Sequence, residues 1–229
     1  MSLAGIPQHL IQRVHYNFKS FYKTKDFEKY LDCLRHAASE EAVSIHAYAL
    51  MSNHVHLLMT SKVQDGVSRM MRRLTREYTH YFNLEYYRKG RLWNDRVRPS
   101  LIEADDYLIA CQRYIELSPV RTGIVSHPAE YAWSSYGVNA LGEPSDLIKP
   151  HPVYKAMGFN KPQRIEAYRQ LFGHALEANL VKTISKHTDD GYCLGGDAFR
   201  LEIERMLGRR RASSKRSRPA KKLQLRSCN

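Results

Sequence analysis

Residues 43–60, VSIHAYALMSNHVHLLMT, decide the reading of the fold. Two runs rich in apolar and β-branched residues, 43–51 and 54–60, flank a Ser52-Asn53 turn, and this pattern predicts a β-hairpin. Alternation along the second run sends His54 and His56 to the same face of the sheet. Their side chains root about 7 Å apart and point the same way, so the two rings can converge on one divalent ion. Neutral imidazoles suit transition ions, and oxygen co-ligands shift such a site toward Mg2+ or Mn2+. Two ligands do not complete a coordination shell, and rings so placed can equally be satisfied by backbone or water. His46, on the first run, keeps either reading open.

Outward from the hairpin, 8–18 (QHLIQRVHYNF) alternates well enough for a first strand, and 26–41 has helical spacing with Asp26 placed to cap its start. Residues 67–84 again repeat at helical spacing and carry Arg69, Arg72, Arg73 and Arg76. Residues 96–103 (RVRPSLIE) read as a fourth strand whose Pro99 suggests an edge. A further helix is expected over 104–118, with Asp105 and Asp106 in its first turn and Pro119 ending it. The order β-α-β-β-α-β is the split βαβ of ferredoxin-like folds, an α+β class with an antiparallel sheet. We divide the chain into a core, 1–125, a C-terminal extension of short helices packing on it, 126–207, and a basic tail, 208–229. Short helices are expected near 161–178 and 196–207, and the tail should be disordered without a partner.

The chain has 229 residues, with 36 Lys+Arg against 23 Asp+Glu and a formal charge of +13. A polyanionic partner follows, nucleic acid ahead of a membrane surface. The stretch from Gly208 to Asn229 holds nine of these cations, among them Arg209, Arg210 and Arg211, and no acid. Four cysteines with no CxxC pair argue against a thiolate zinc site and for a reducing compartment. No apolar run approaches the roughly 18 residues of a membrane span, and the first residues lack signal-peptide features. These features predict a cytosolic protein.

A basic chain with an HxH pair suggests phosphodiester chemistry. No DxD, GxxxxGK[ST] or HExxH is present, whereas tyrosine occurs fifteen times. Tyr107 and Tyr114 lie seven residues apart on one face of the 104–118 helix, and Ser118 follows four residues later. A tyrosine beside a bound phosphate can act as nucleophile and form a covalent intermediate. Its ordinary pKa is about 10, so deprotonation needs help. The residues alone do not choose between the two tyrosines.

YALMSNHVHLLM (48–59) together with RYIELSPVRTGIVSHPAEYAWSSY (113–136) resembles the REP-associated tyrosine transposases, relatives of the IS200/IS605 single-tyrosine transposases. The resemblance runs from about residue 5 to 150, and GYCLGGDAFRLEIERMLGRRR (191–211) is also similar to that family. It implies a bacterial, nucleoid-associated protein that cuts and joins single-stranded DNA beside REP-type hairpins. His54 and His56 would be the metal ligands, with Mg2+ or Mn2+ as cofactor, and Tyr114 the nucleophile that forms a 5′-phosphotyrosine. Relatives carry Asn or Gln four residues after the tyrosine, where it can complete the metal shell. Here that place is Ser118, a shorter and weaker ligand. The first strand departs too, reading RVHYNF (13–18) where relatives often read RGNNR.

Arg13, Arg91, Trp93, Arg96 and Arg98 fall in stretches resembling the family's DNA-contact neighbourhood. Arg69 and Arg73 belong to a candidate phosphate track, and the tail arginines would add affinity through counterion release. A monomer is the expected state, with a helix-exchanging dimer as the alternative. Two rival functions remain: a structured-DNA binder that has lost cleavage, and an RNA-binding protein.

Overall fold

The computed structural model describes residues 3–14, 18–94 and 99–208. Its core elements are β1 (Gln8–Arg13), α1 (Thr24–Glu40), β2 (Val43–Met51), β3 (His54–Ser61), α2 (Gly66–Glu85) and β4 (Ser100–Leu101). The strands form one antiparallel sheet in the order β2-β3-β1-β4, the ferredoxin-like arrangement that the sequence predicts. Among the described residues, β1 ends at Arg13 and β4 covers Ser100–Leu101. β4 meets β1 only at Gln8 and His9. Pro99, which lacks an N–H for the ladder, immediately precedes it. Further along β1, Asn94 takes over and donates its backbone N–H to the Arg13 carbonyl at 2.9 Å.

Side-chain alternation gives the sheet two different faces. Leu10, Leu50, Val55, Leu57 and Met59 point to one side, where α1 and α2 cover them with Tyr30, Leu34, Met70, Leu74, Tyr78 and Phe82. α1 begins two residues before Asp26. Asp26 therefore sits at the third helical position, where its Oδ2 accepts from the Tyr22 and Lys23 N–H groups at 2.7 and 3.0 Å. Tyr81 and Tyr86 at the end of α2 donate to the same carboxylate and tie the two helices together. Gly66 opens α2 because a Cβ there would stand 2.9 Å from the Glu41 carbonyl oxygen.

The opposite face carries Ala47, Ala49, Met51 and Leu58, with α3 (Ala104–Glu116) packed on it through Leu108, Cys111, Tyr114 and Ile115. Small alanines on β2 let this helix approach closely. A turn at Leu117 separates it from α4 (Ser118–Arg121).

The extension continues with α5 (Tyr136–Leu141), α6 (Pro152–Lys155), α7 (Lys161–Gln170), α8 (Ala178–Asp190) and α9 (Asp197–Leu207). The sequence reading missed α8. Its segment ANLVKTISKHTDD is rich in β-branched residues of modest helix propensity, and packing of its apolar stripe stabilises it. Ile184, with Leu180 and Val181 beside it, joins the α3 cluster, so α8 lies across the histidine-bearing face. Residues 133–135 run along β2, with Leu50 N–H donating to the Trp133 carbonyl at 2.9 Å and Ser135 N–H to Tyr48 at 3.0 Å. The extension thus supplies part of the core that positions α3. Among the described residues, no helix is long and apolar enough to cross a membrane.

Candidate active site

His54 and His56 share the sheet face under α3, with ring centroids 4.9 Å apart. His56 sits in mid-sheet between Ile11 of β1 and Ala49 of β2, and His54 at the hairpin end between Arg13 and Met51. A third imidazole, His9 of β1, stacks on His56 at 5.4 Å, and its Nε2 lies 3.1 Å from His56 Nδ1. All three are held neutral. Burial takes His9 down to about 3, with Arg121 adding to the effect. Burial, then Arg13 and Arg121, takes His54 down to about 4. His56 falls well below its usual value through burial and the neighbouring His9 and His54.

The hydrogen bonds fix which nitrogens carry protons. The Thr188 hydroxyl donates to the Ile184 carbonyl at 2.7 Å, so its oxygen must accept from His9 Nδ1–H at 2.9 Å. His9 Nε2 is then a bare acceptor for His56 Nδ1–H, which leaves His56 Nε2 as a free lone pair. His54 Nδ1 donates to Asn53 Oδ1 at 2.7 Å, and its Nε2 is left free by the same logic. Two neutral Nε2 donors on one face fit a divalent transition ion, and a fixed partner on each Nδ1 is the usual support for such ligands. Among the described residues, no cluster of three or more His, Cys, Asp or Glu is arranged as an ion site. His46 stands apart, bonded to the Lys149 carbonyl and the Thr60 hydroxyl.

Tyr114, buried on α3, sets its ring against two of the three imidazoles, 6.0 Å from His56 and 5.9 Å from His9 by centroid. Arg121 lies over the phenol with its guanidinium carbon 3.8 Å from the ring centroid. Burial pulls the Arg121 guanidinium down while Tyr114 pulls it up. The guanidinium also donates to the Tyr114 carbonyl and, at 2.8 Å, to Ser118 Oγ. Ser118 Oγ in turn donates to the Tyr114 carbonyl at 3.2 Å. The serine hydroxyl is thus engaged in closing the last turn of α3. Tyr107 is half-buried and packs on the same cluster.

α3 is anchored by a residue the sequence reading passed over. Glu116 is fully buried and accepts from Ser135 Oγ at 2.6 Å, Asn139 Nδ2 at 2.8 Å and Tyr168 Oη at 2.8 Å. Burial lifts its carboxyl to about 7 against the pull of those three donors. The WSSY segment earns its place here, since Ser135 joins β2 to the helix that carries Tyr114. His9, Thr188, Arg121 and Glu116 were all missed. The available signals were polar residues at core positions of regular elements, and Arg121 within the PVR segment.

The candidate DNA contacts scatter. Arg13 ends β1 on the histidine face, paired with Asp189 of α8 at 2.8 Å. Arg69 pairs with Glu41 and Arg73 with Glu40, so both are turned toward α1 and largely neutralised. Arg72 and Arg76 instead line a groove between α2 and residues 90–94, together with Arg91 and Trp93. Arg96, Arg98, Arg209, Arg210 and Arg211 lie outside the described residues.

The profile described as "Transposase IS200 like" matches residues 2–118, just over half of the chain and inclusive of His54, His56, Tyr114 and Ser118. The chain belongs to this IS200-like transposase family. Its fold is similar to that of a REP-associated tyrosine transposase solved bound to a REP hairpin, with a TM-score of 0.55 and 15% identity over 67% of this chain and 90% of that one. A crystal structure of a candidate transposase from Deinococcus radiodurans R1 aligns with a TM-score of 0.37 and 20% identity, over 51% and 93% of the two chains. No curated protein matches. In this IS200-like transposase, the matched segment ends at Ser118, yet Thr188 and Glu116's partners Ser135, Asn139 and Tyr168 lie beyond it.

Proposed function

We propose that the chain nicks and rejoins single-stranded DNA beside a REP-type hairpin, with Tyr114 as nucleophile. The observation that carries this reading is the buried Tyr114 ring packed against His56, which shares one sheet face with His54 and, like it, keeps its Nε2 free. His54 and His56 would hold a divalent ion, Mg2+ or Mn2+, through those atoms. When bound, such an ion polarises a phosphate and offsets the charge that develops on its oxygens. The Tyr114 hydroxyl oxygen attacks phosphorus and its proton passes to water. The bond to the 3′ oxygen breaks, leaving a 5′-phosphotyrosine and a free 3′-OH. Attack by a 3′-OH on that phosphotyrosine reverses the step and joins strands without a nucleotide cofactor. Arg121, close over the phenol, holds the ring in place beside the histidines.

Tyr114 and the histidines meet within one chain, which supports a monomeric enzyme. A second reading, a binder of structured DNA that no longer cuts, draws on Ser118, where relatives carry an amide.

The test is incubation of the chain with end-labelled hairpin DNA and Mn2+, followed by denaturing electrophoresis. A slowly migrating protein–DNA adduct is expected, and Tyr114→Phe should abolish it. An adduct that persists in the variant rejects Tyr114. Its absence from the native chain, with binding retained, favours the binder.

A further inference from the structure

On the sheet face away from the histidines, a groove of about 750 Å³ runs between α2 and residues 90–94. This volume falls within the range of sites that enclose small organic ligands, roughly 300–1,000 Å³. Its floor is apolar and buried, built from Leu10, Met71, Leu92 and Trp93. Its rim carries Arg72 and Arg76, both exposed, and no carboxylate among the described residues pairs with either.

A cation-rimmed slot with an apolar floor suits a nucleotide: phosphate at the rim, base against the apolar floor inside. Duplex DNA would present only phosphates and leave the floor unused.

We propose that this groove binds an unpaired nucleotide of the strand that flanks the hairpin, with Arg72 and Arg76 on its phosphates and its base on the apolar floor of Met71, Leu92 and Trp93. The proposal rests on the DNA reading above and adds a second station. β1 is the wall between the two, since Leu10 and Gln12 line the groove while His9 and Arg13 belong to the histidine face.

The experiment measures binding by fluorescence anisotropy with the full chain in EDTA, which stops cleavage. It compares a hairpin bearing short unpaired tails with the same hairpin made blunt. Arg72→Gln/Arg76→Gln should weaken binding of the tailed hairpin and flatten its slope of log affinity against log salt by about 1.4, two single-strand phosphate contacts. Binding of the blunt hairpin should stay unchanged. With the native chain, an abasic site walked through the tails should cost about fivefold or more at one position. Lys155→Gln, on α6 and outside the groove, is the control. Equal losses on both hairpins, or no position sensitive to the abasic site, overturn the groove. If those results come while the Tyr114 adduct still forms, only the groove falls. If the native chain binds neither hairpin, both readings fall.

Discussion

Replacing Glu116 by Gln should change how stability depends on pH, by an amount the structure sets. The carboxyl is fully buried and its folded value is lifted from the usual 4.5 to about 7, chiefly by burial. Below about pH 4.5 the group is protonated in both states. Between 4.5 and 7 the folded chain keeps a proton that the unfolded chain releases, so stability declines as pH rises through this window and levels off above it. The decline attributable to Glu116 is on the order of 3 kcal/mol. Glutamine has the same shape, and its Oε1 can still accept from Ser135 and Asn139. The variant should therefore gain on the native chain by about 3 kcal/mol between pH 4.5 and 7. Urea denaturation at a series of pH values measures this difference while the other titrating groups cancel. Parallel stability curves for the two proteins would refute a carboxyl held protonated near neutrality.

Two further outcomes concern the proposed ion site. His9→Ala should lower Mn2+ affinity about 10- to 100-fold, because His56 loses the acceptor that fixes its proton on Nδ1. Titration followed by the electron paramagnetic resonance of free Mn2+ reads this directly, and an unchanged affinity would remove His9 from the site. Ser118→Ala should cost about 1–2 kcal/mol of stability through its two lost hydrogen bonds and leave Mn2+ affinity unaltered. A fall in affinity would make the serine a ligand.

The hairpin at 43–60 was legible because period-two alternation and a two-residue turn are local signals, and they place His54 and His56 on one face without further information. The helix bearing Tyr114 was legible for the same reason, its end marked by Pro119. What the sequence could not show is partnership across distance. His9 reads as one polar residue in a short strand until Thr188, 179 residues later, supplies its hydrogen bond. Glu116 reads as a solvated helix residue until Ser135, Asn139 and Tyr168 close around it. The arginines of α2 follow one another at helical spacing, but only the acids of α1 separate the neutralised Arg69 and Arg73 from the groove-facing Arg72 and Arg76. α8 escaped notice because its stability comes from packing rather than propensity.

The most direct measurement is mass spectrometry of the chain after reaction with hairpin DNA and Mn2+, nuclease trimming and trypsin. Cleavage after Arg113 and Arg121 releases Tyr114–Arg121, YIELSPVR, in which Tyr114 is the only tyrosine. The account predicts this peptide carrying a nucleotide remnant through a phosphodiester on the phenol. Cut DNA with that peptide unmodified, or the remnant on a peptide containing Tyr107, would contradict it.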